Sequence, residues 1–156
     1  MDEITEEHST NTQYHIFVLY KMASVNNIAG KSTDNEAIFE KINEIAPMAY
    51  QDNHSMIFRC NNALFKYLLN FDVDKCCQFG EELKQSKRFD YEKLNNYEKH
   101  DINHTLGTAY SLEGTSHEQS FKCYDECLEI AERNNNQADT PEKIIPSNLF
   151  SSKRRN

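Results

Sequence analysis

The sequence predicts an all-α protein of three stacked antiparallel helical hairpins. Three observations carry this expectation. Glycine and proline, which all-β folds need for their turns, number only 4 and 3 in 156 residues. Apolar residues recur at intervals of three and four along most of the chain, the spacing of one helix face. Between these stretches stand residues that start and stop helices, among them two Ser/Thr-x-x-Glu/Gln patterns and Gly114.

The N-terminal stretch MDEITEEHSTN is acidic and has no apolar h-region. Residues 1–11 therefore read as a disordered leader and not as a secretory signal. A first helix is expected from about residue 12 to about 25, carrying Tyr14, Phe17, Val18, Tyr20 and Met22 at helical spacing. Thr33 and Glu36 frame a capping box that opens a second helix, with Ala37, Ile38, Ile42 and Ile45 as its stripe. Pro47 lacks an N–H and is expected to end it.

Asp52, Asn53 or Ser55 caps a third helix, lined by Met56, Ile57, Cys60, Ala63, Leu64, Tyr67 and Leu68. Asp72 caps a fourth, with Cys76, Phe79 and Leu83 inward. A fifth spans about residues 90–112 and carries Leu94, Tyr97, Ile102, Leu106, Ala109 and Tyr110. Gly114 ends it, and Ser116 with Gln119 frames a second capping box for a helix bearing Phe121, Tyr124, Leu128 and Ile130. From 135 to 156 Asn, Gln, Ser and Pro dominate, the composition of a disordered tail. Ile144, Ile145, Leu149 and Phe150 can dock as a short segment. The repeat domain is thus residues 12–134, six helices joined in pairs by short connections, so that partners run antiparallel.

Composition narrows the function. A hydrophobic fraction of 38% beside 27% charged residues suits an elongated, thin-cored protein. The formal charge of −8 repels phosphate backbones and argues against nucleic acid as a partner. The one basic run, Lys153 to Arg155, reads as a solvated end. The longest apolar runs, such as Ile16 to Tyr20, are too short to span a membrane. Five cysteines, an odd number inside helical patterns, read as reduced core thiols of a cytoplasmic protein.

The chain also resembles itself. Residues 62–83 and 105–128 share a pattern in which Ala63 falls on Leu106 and Tyr67 on Tyr110. After one inserted residue, Cys76 falls on Ser120 and Leu83 on Cys127. Small residues at Cys76, Ser120 and Cys127 are expected to let paired helices approach closely. The series Leu106, Gly107, Tyr110, Gly114, Ser120, Tyr124 and Cys127 resembles a tetratricopeptide repeat, whose units stack into a right-handed solenoid. Roughly residues 14–134 are similar to the repeat domain of phage arbitrium peptide receptors, with Met56 to Asn70 and the helix at Asp72 resembling one hairpin and Leu106 to Asn134 the next. Those receptors begin with a helix-turn-helix domain, which is not expected in the short leader read here. The resemblance implies a concave face that binds a short peptide, and it places Lys66, Asn70, Tyr97 and Thr108 at the peptide-binding positions. Of these only Asn70 keeps the family's residue type.

No catalytic signature occurs: neither a nucleophile elbow, nor a phosphate-binding glycine loop, nor H-E-x-x-H. Glu81–Glu82 and Asp125–Glu126 are sequence neighbours on helices, point apart and suit solvated faces. His100 and His104 share a helix face, but no third metal ligand is spaced to join them. Neither an enzyme nor a cofactor is expected.

In a helical-repeat stack the first helix of each pair lines the concave surface, which nominates Arg59, Asn62, Lys66, Asn70, Asn103 and Thr108 as partner-contacting residues. Arg59 is placed to pair with an acidic side chain or a peptide carboxylate. The leading reading is a regulatory module that takes a short peptide or a protein segment. The alternatives are an adaptor or inhibitor covering another protein's surface, and a homodimer or larger homo-oligomer joined through the apolar end faces that three pairs leave open.

Overall fold

A computed structural model of the chain describes residues 3–86 and 89–136, with the side chains of residues 6–86 and 89–135. Among the described residues the chain is helical without a strand. Its six α-helices are α1 (Glu3–Ile28), α2 (Asn35–Tyr50), α3 (His54–Phe71), α4 (Val73–Lys84), α5 (Asn96–Glu113) and α6 (His117–Asn136). Apart from its first two residues, the tail expected over 135–156 lies outside the described residues, as does the basic run within it.

Each helix packs on the next in sequence, and α3 also reaches α5. The connections explain the directions. Ser9 Oγ and Gln13 Nε2 near the start of α1 donate to the Ala49 carbonyl near the end of α2, at 2.8 and 2.9 Å. At the other end the buried Asn35 amide donates to the Ala23 carbonyl and accepts from Asn26 Nδ2. α1 and α2 are therefore antiparallel. α3 and α5 run the same way: Ser55 donates to Glu98 at their N-terminal ends, and Lys66 donates to Thr105 further along.

The local starts and stops follow ordinary capping chemistry. Asn53 Oδ1 accepts from the Met56 N–H and Asp72 Oδ1 from the Lys75 N–H. Asn95 and Glu98 form a reciprocal capping box on α5. Gly114 ends α5 in the left-handed region at φ 83°, where a Cβ would be strained.

Four expectations are corrected. The helix expected from residue 12 begins at Glu3, because Ser9, Thr12 and Gln13 already have α2 to lean on. Thr33 and Glu36 form no capping box: a short 3-10 turn over Ser32–Asp34 precedes α2, and Glu36 pairs with Lys75 instead. Pro47 does not end α2, which continues to Tyr50 and closes with the Gln51 N–H on the Pro47 carbonyl. The proline sits in the last turn, where it interrupts only one bond of the ladder. The fifth helix starts at Asn96, not near 90, since residues Tyr91–Lys93 form a separate 3-10 turn.

The core forms two clusters. One joins α1, α2 and the start of α3 through Ile16, Ile42, Ile45, Ala46, Ala49 and Cys60. The larger one joins α3 to α6, centred on Phe65, Leu68, Ile102 and Leu106. Close approach is visible at the small residues. Cys76 Sγ lies 3.6 Å from the Phe65 carbonyl, Ser120 Oγ donates to the Gly107 carbonyl at 2.8 Å, and Cys127 Sγ lies 3.6 Å from the His100 carbonyl.

All five cysteines are free and buried. Burial pushes Cys60, Cys77 and Cys123 up to about 11, and Cys76 and Cys127 up to about 12. These thiols are uncharged at neutral pH, so a thiol reagent is expected to label the folded protein only as fast as it opens. The folded values lie above the unfolded one. The stabilisation they give is therefore complete below about pH 9 and lost as the pH rises toward about 12. Denaturant midpoints at about pH 8 and about pH 10.5 test this: the second is expected to be lower, and equal midpoints would contradict it.

Candidate functional site

α3 presents Arg59, Asn62, Lys66 and Asn70 along one line, because spacings of three and four return to the same helix face. On α5, Tyr97, Asp101, His104 and Thr108 line up in the same way. The two lines meet between the parallel helices. Lys66 Nζ donates to Asp101 Oδ1 and to Thr105 Oγ1, both at 2.6 Å, and Asn62 Nδ2 donates to Asp101 Oδ2 at 3.1 Å. Asn70 Nδ2 closes back on the Lys66 carbonyl at 3.2 Å, and Thr108 Oγ1 bonds the His104 carbonyl and lies 3.1 Å from Tyr124 Oη.

The charges on this face are unequal in availability. Lys66 is neutralised by Asp101 in a partly exposed pair, an arrangement worth about 0–1 kcal/mol. Arg59, one turn beyond Asn62, is exposed and makes no hydrogen bond or ion pair among the described residues. The strip thus ends on an open guanidinium, with the exposed Tyr97 ring among the groups at the same end of α5. Asn62 Oδ1 is enclosed and accepts no hydrogen bond among the described residues.

Asn103 departs from the expected set. It is completely buried, and its position on α5 turns it away from the strip toward α4. Its amide donates to Tyr91 Oη and to the Lys99 carbonyl, while Oδ1 accepts from Lys84 Nζ at 3.0 Å. Burial opposes the Lys84 charge, but the hydrogen bond and attraction of Glu126 outweigh it and hold the Lys84 pKa above its ordinary value. Asn103 therefore organises the interior and does not face a partner. Asp101 and His104 join the strip in its place. Their signal in the sequence was the spacing from Tyr97 and Thr108, which puts all four on one face.

His100 and His104 stack with ring centroids 6.0 Å apart, and His104 meets Tyr124 edge-on. Burial, then the neighbouring His104, lowers the His100 pKa. Among the described residues no group of three His, Cys, Asp or Glu side chains is placed to hold a metal. No helix among them is long and apolar enough to cross a membrane.

Two clefts lie away from the strip. One of about 300 Å³ opens between α2 and α4 over Leu64 and Leu68, and one of about 370 Å³ lies beside Tyr91, Lys99 and Arg133. Neither includes a strip residue.

The fold and the strip together describe an all-helical protein with a polar, partly open face between two parallel helices. No family model matches the chain, and neither a curated protein nor a solved structure matches it.

Proposed function

We propose that this protein is a non-enzymatic regulatory module that binds a short peptide or a protein segment along the strip between α3 and α5. The observation that carries the reading is the alignment of Arg59, Asn62, Lys66 and Asn70 against Tyr97, Asp101 and Thr108, ending on Arg59, which has no partner among the described residues. An extended segment laid on this face meets amide donors and acceptors for its backbone, an aromatic ring for one side chain, and a guanidinium for a carboxylate. The tetratricopeptide-like pattern of Leu106 to Cys127 supports the same reading, and the proposal takes α1, α3 and α5 as the inner layer of a right-handed solenoid of three pairs. The resemblance of its sequence to phage arbitrium receptors motivates the further proposal that it acts in the cytoplasm of a bacterium, encoded there or by a phage.

A displayed random-peptide library panned on the folded protein tests this. Enriched peptides are expected to carry an acidic residue or to depend on a free C-terminal carboxylate. An Arg59→Ala/Asn70→Ala variant is expected to bind them roughly 30- to 2,000-fold more weakly, the loss of one charged and one neutral hydrogen bond. Unchanged affinity in that variant would remove the strip as the binding face.

The acidic balance of −8 favours a second reading, an adaptor or inhibitor that covers a basic surface of another protein. Binding of that kind weakens steeply between low and physiological salt, whereas peptide capture on the strip changes little.

A further inference from the structure

We propose that the outer faces of α1 and α6 are the two halves of one interface, through which copies of this chain stack head to tail. α1 and α6 are the terminal layers of the stack, α1 packing on α2 and α6 on α5. A terminal helix of a stacked protein needs a polar outer face to stay solvated. α1 does not have one. It buries Ile16 and Ala23 toward α2, yet on the opposite side it exposes Tyr14, Phe17, Val18, Met22, Val25 and Ile28, each between 51% and 89% accessible. At about 100° per residue these six share one stripe, roughly 20 Å long.

The size of the stripe indicates a protein surface as its cover. At roughly 100 Å² for each half-exposed large side chain, it offers about 600 Å² of apolar area. Covering it removes a similar area from the opposing surface, about 1,200 Å² in all, the lower end of specific interfaces.

Charge selects which surface that is. Lys21 falls in the middle of the stripe, held over the Phe17 ring at 5.2 Å, and makes no ion pair among the described residues. Two α1 stripes paired about a two-fold axis with full overlap would set Lys21 against Lys21. The outer face of α6 is complementary. It exposes Phe121 and Leu128, two turns apart, and beside them Asp125 and Glu132, which make no ion pair among the described residues. Phe121 and Leu128 meet the apolar stripe, and Lys21 meets the carboxylates. The contact is heterologous, each copy using a different face, so it leaves a free α1 at one end and a free α6 at the other. It uses neither Arg59 nor the rest of the α3–α5 strip and stands independently of the function proposed above.

Sedimentation velocity from about 1 µM to about 1 mM, on wild type and two variants, tests this. Val18→Glu/Val25→Glu blocks the α1 face, and Phe121→Glu/Leu128→Glu blocks the α6 face. All four positions are exposed, and circular dichroism checks that the variants keep the wild-type melt. Wild type is expected to grow in mass with concentration, each variant alone to stay monomeric, and their equimolar mixture to form one-to-one dimers that grow no further. A Lys21→Glu variant should weaken association, and adding Asp125→Lys to it should restore it. Monomeric wild type throughout the range overturns the proposal. So does a Phe121→Glu/Leu128→Glu variant that associates as strongly as wild type, which would mean that α1 pairs with itself.

Discussion

Phe65→Ala is expected to lower the unfolding free energy by about 3–5 kcal/mol, the usual cost of emptying a fully buried aromatic site. Phe65 is inaccessible to solvent and packs against Phe79 on α4 with ring centroids 5.9 Å apart. For a chain of this length that loss lowers the melting temperature by roughly 10 °C. The neighbouring glycine sharpens the test. A Cβ on Gly80 would stand 2.6 Å from Leu106 Cδ1 and 2.9 Å from Phe65 Cζ. Gly80→Ala gains up to about 1 kcal/mol of helix propensity but forces those side chains aside at about 1–3 kcal/mol. A net loss is expected in wild type. In a Phe65→Leu background the contacts with the Phe65 ring are relieved and only the one with Leu106 remains, so the double-mutant cycle should show a favourable coupling of about 1 kcal/mol. Chemical denaturation of the four proteins measures it, and additive values would mean that α3, α4 and α5 are not in contact at this point.

The second large effect separates an interior residue from a surface one that the sequence placed in the same set. Asn103→Ala removes the acceptor for Lys84 and the donor to Tyr91 and the Lys99 carbonyl, and it leaves a void where nothing is exposed. Leaving buried polar groups unmatched costs about 1–3 kcal/mol each, and a total of about 2–4 kcal/mol is expected. Arg59→Ala touches no such network and should stay within about 0.5 kcal/mol of wild type. Thermal melts of the two variants check this. Equal stability in both would put Asn103 back on the surface.

Much of the architecture was legible before any coordinates. Helix class follows from local rules: three- and four-residue spacing, few turn residues, Asn53 and Asp72 as caps, and Gly114 in the left-handed region. The close approach at Cys76, Ser120 and Cys127 was readable too, because a small side chain is what such an approach requires whatever the partner. Part of the α3–α5 strip was readable for the same reason, since Arg59, Asn62, Lys66 and Asn70 lie on one helix and their mutual spacing fixes their common face.

What remained hidden depends on which neighbour a helix meets. α1 and α6 carry apolar residues on two sides, so periodicity alone did not say that Ile16 and Ala23, or Cys123 and Ile130, would be buried while Phe17 and Phe121 faced outward. Thr33 had the right chemistry for a cap, but Glu36 found Lys75 on another helix, and the Thr33 carbonyl took the Tyr67 hydroxyl. Asn103 stands two residues from Asp101 on α5, which turns it to a different side, and only the position of α4 decided that this side is interior. The sequence by itself therefore determined the helices, most of their ends and the residues able to share a face. The tertiary structure alone decided which face is buried and which polar groups pair, because burial and long-range hydrogen bonds belong to pairs of helices and not to either one.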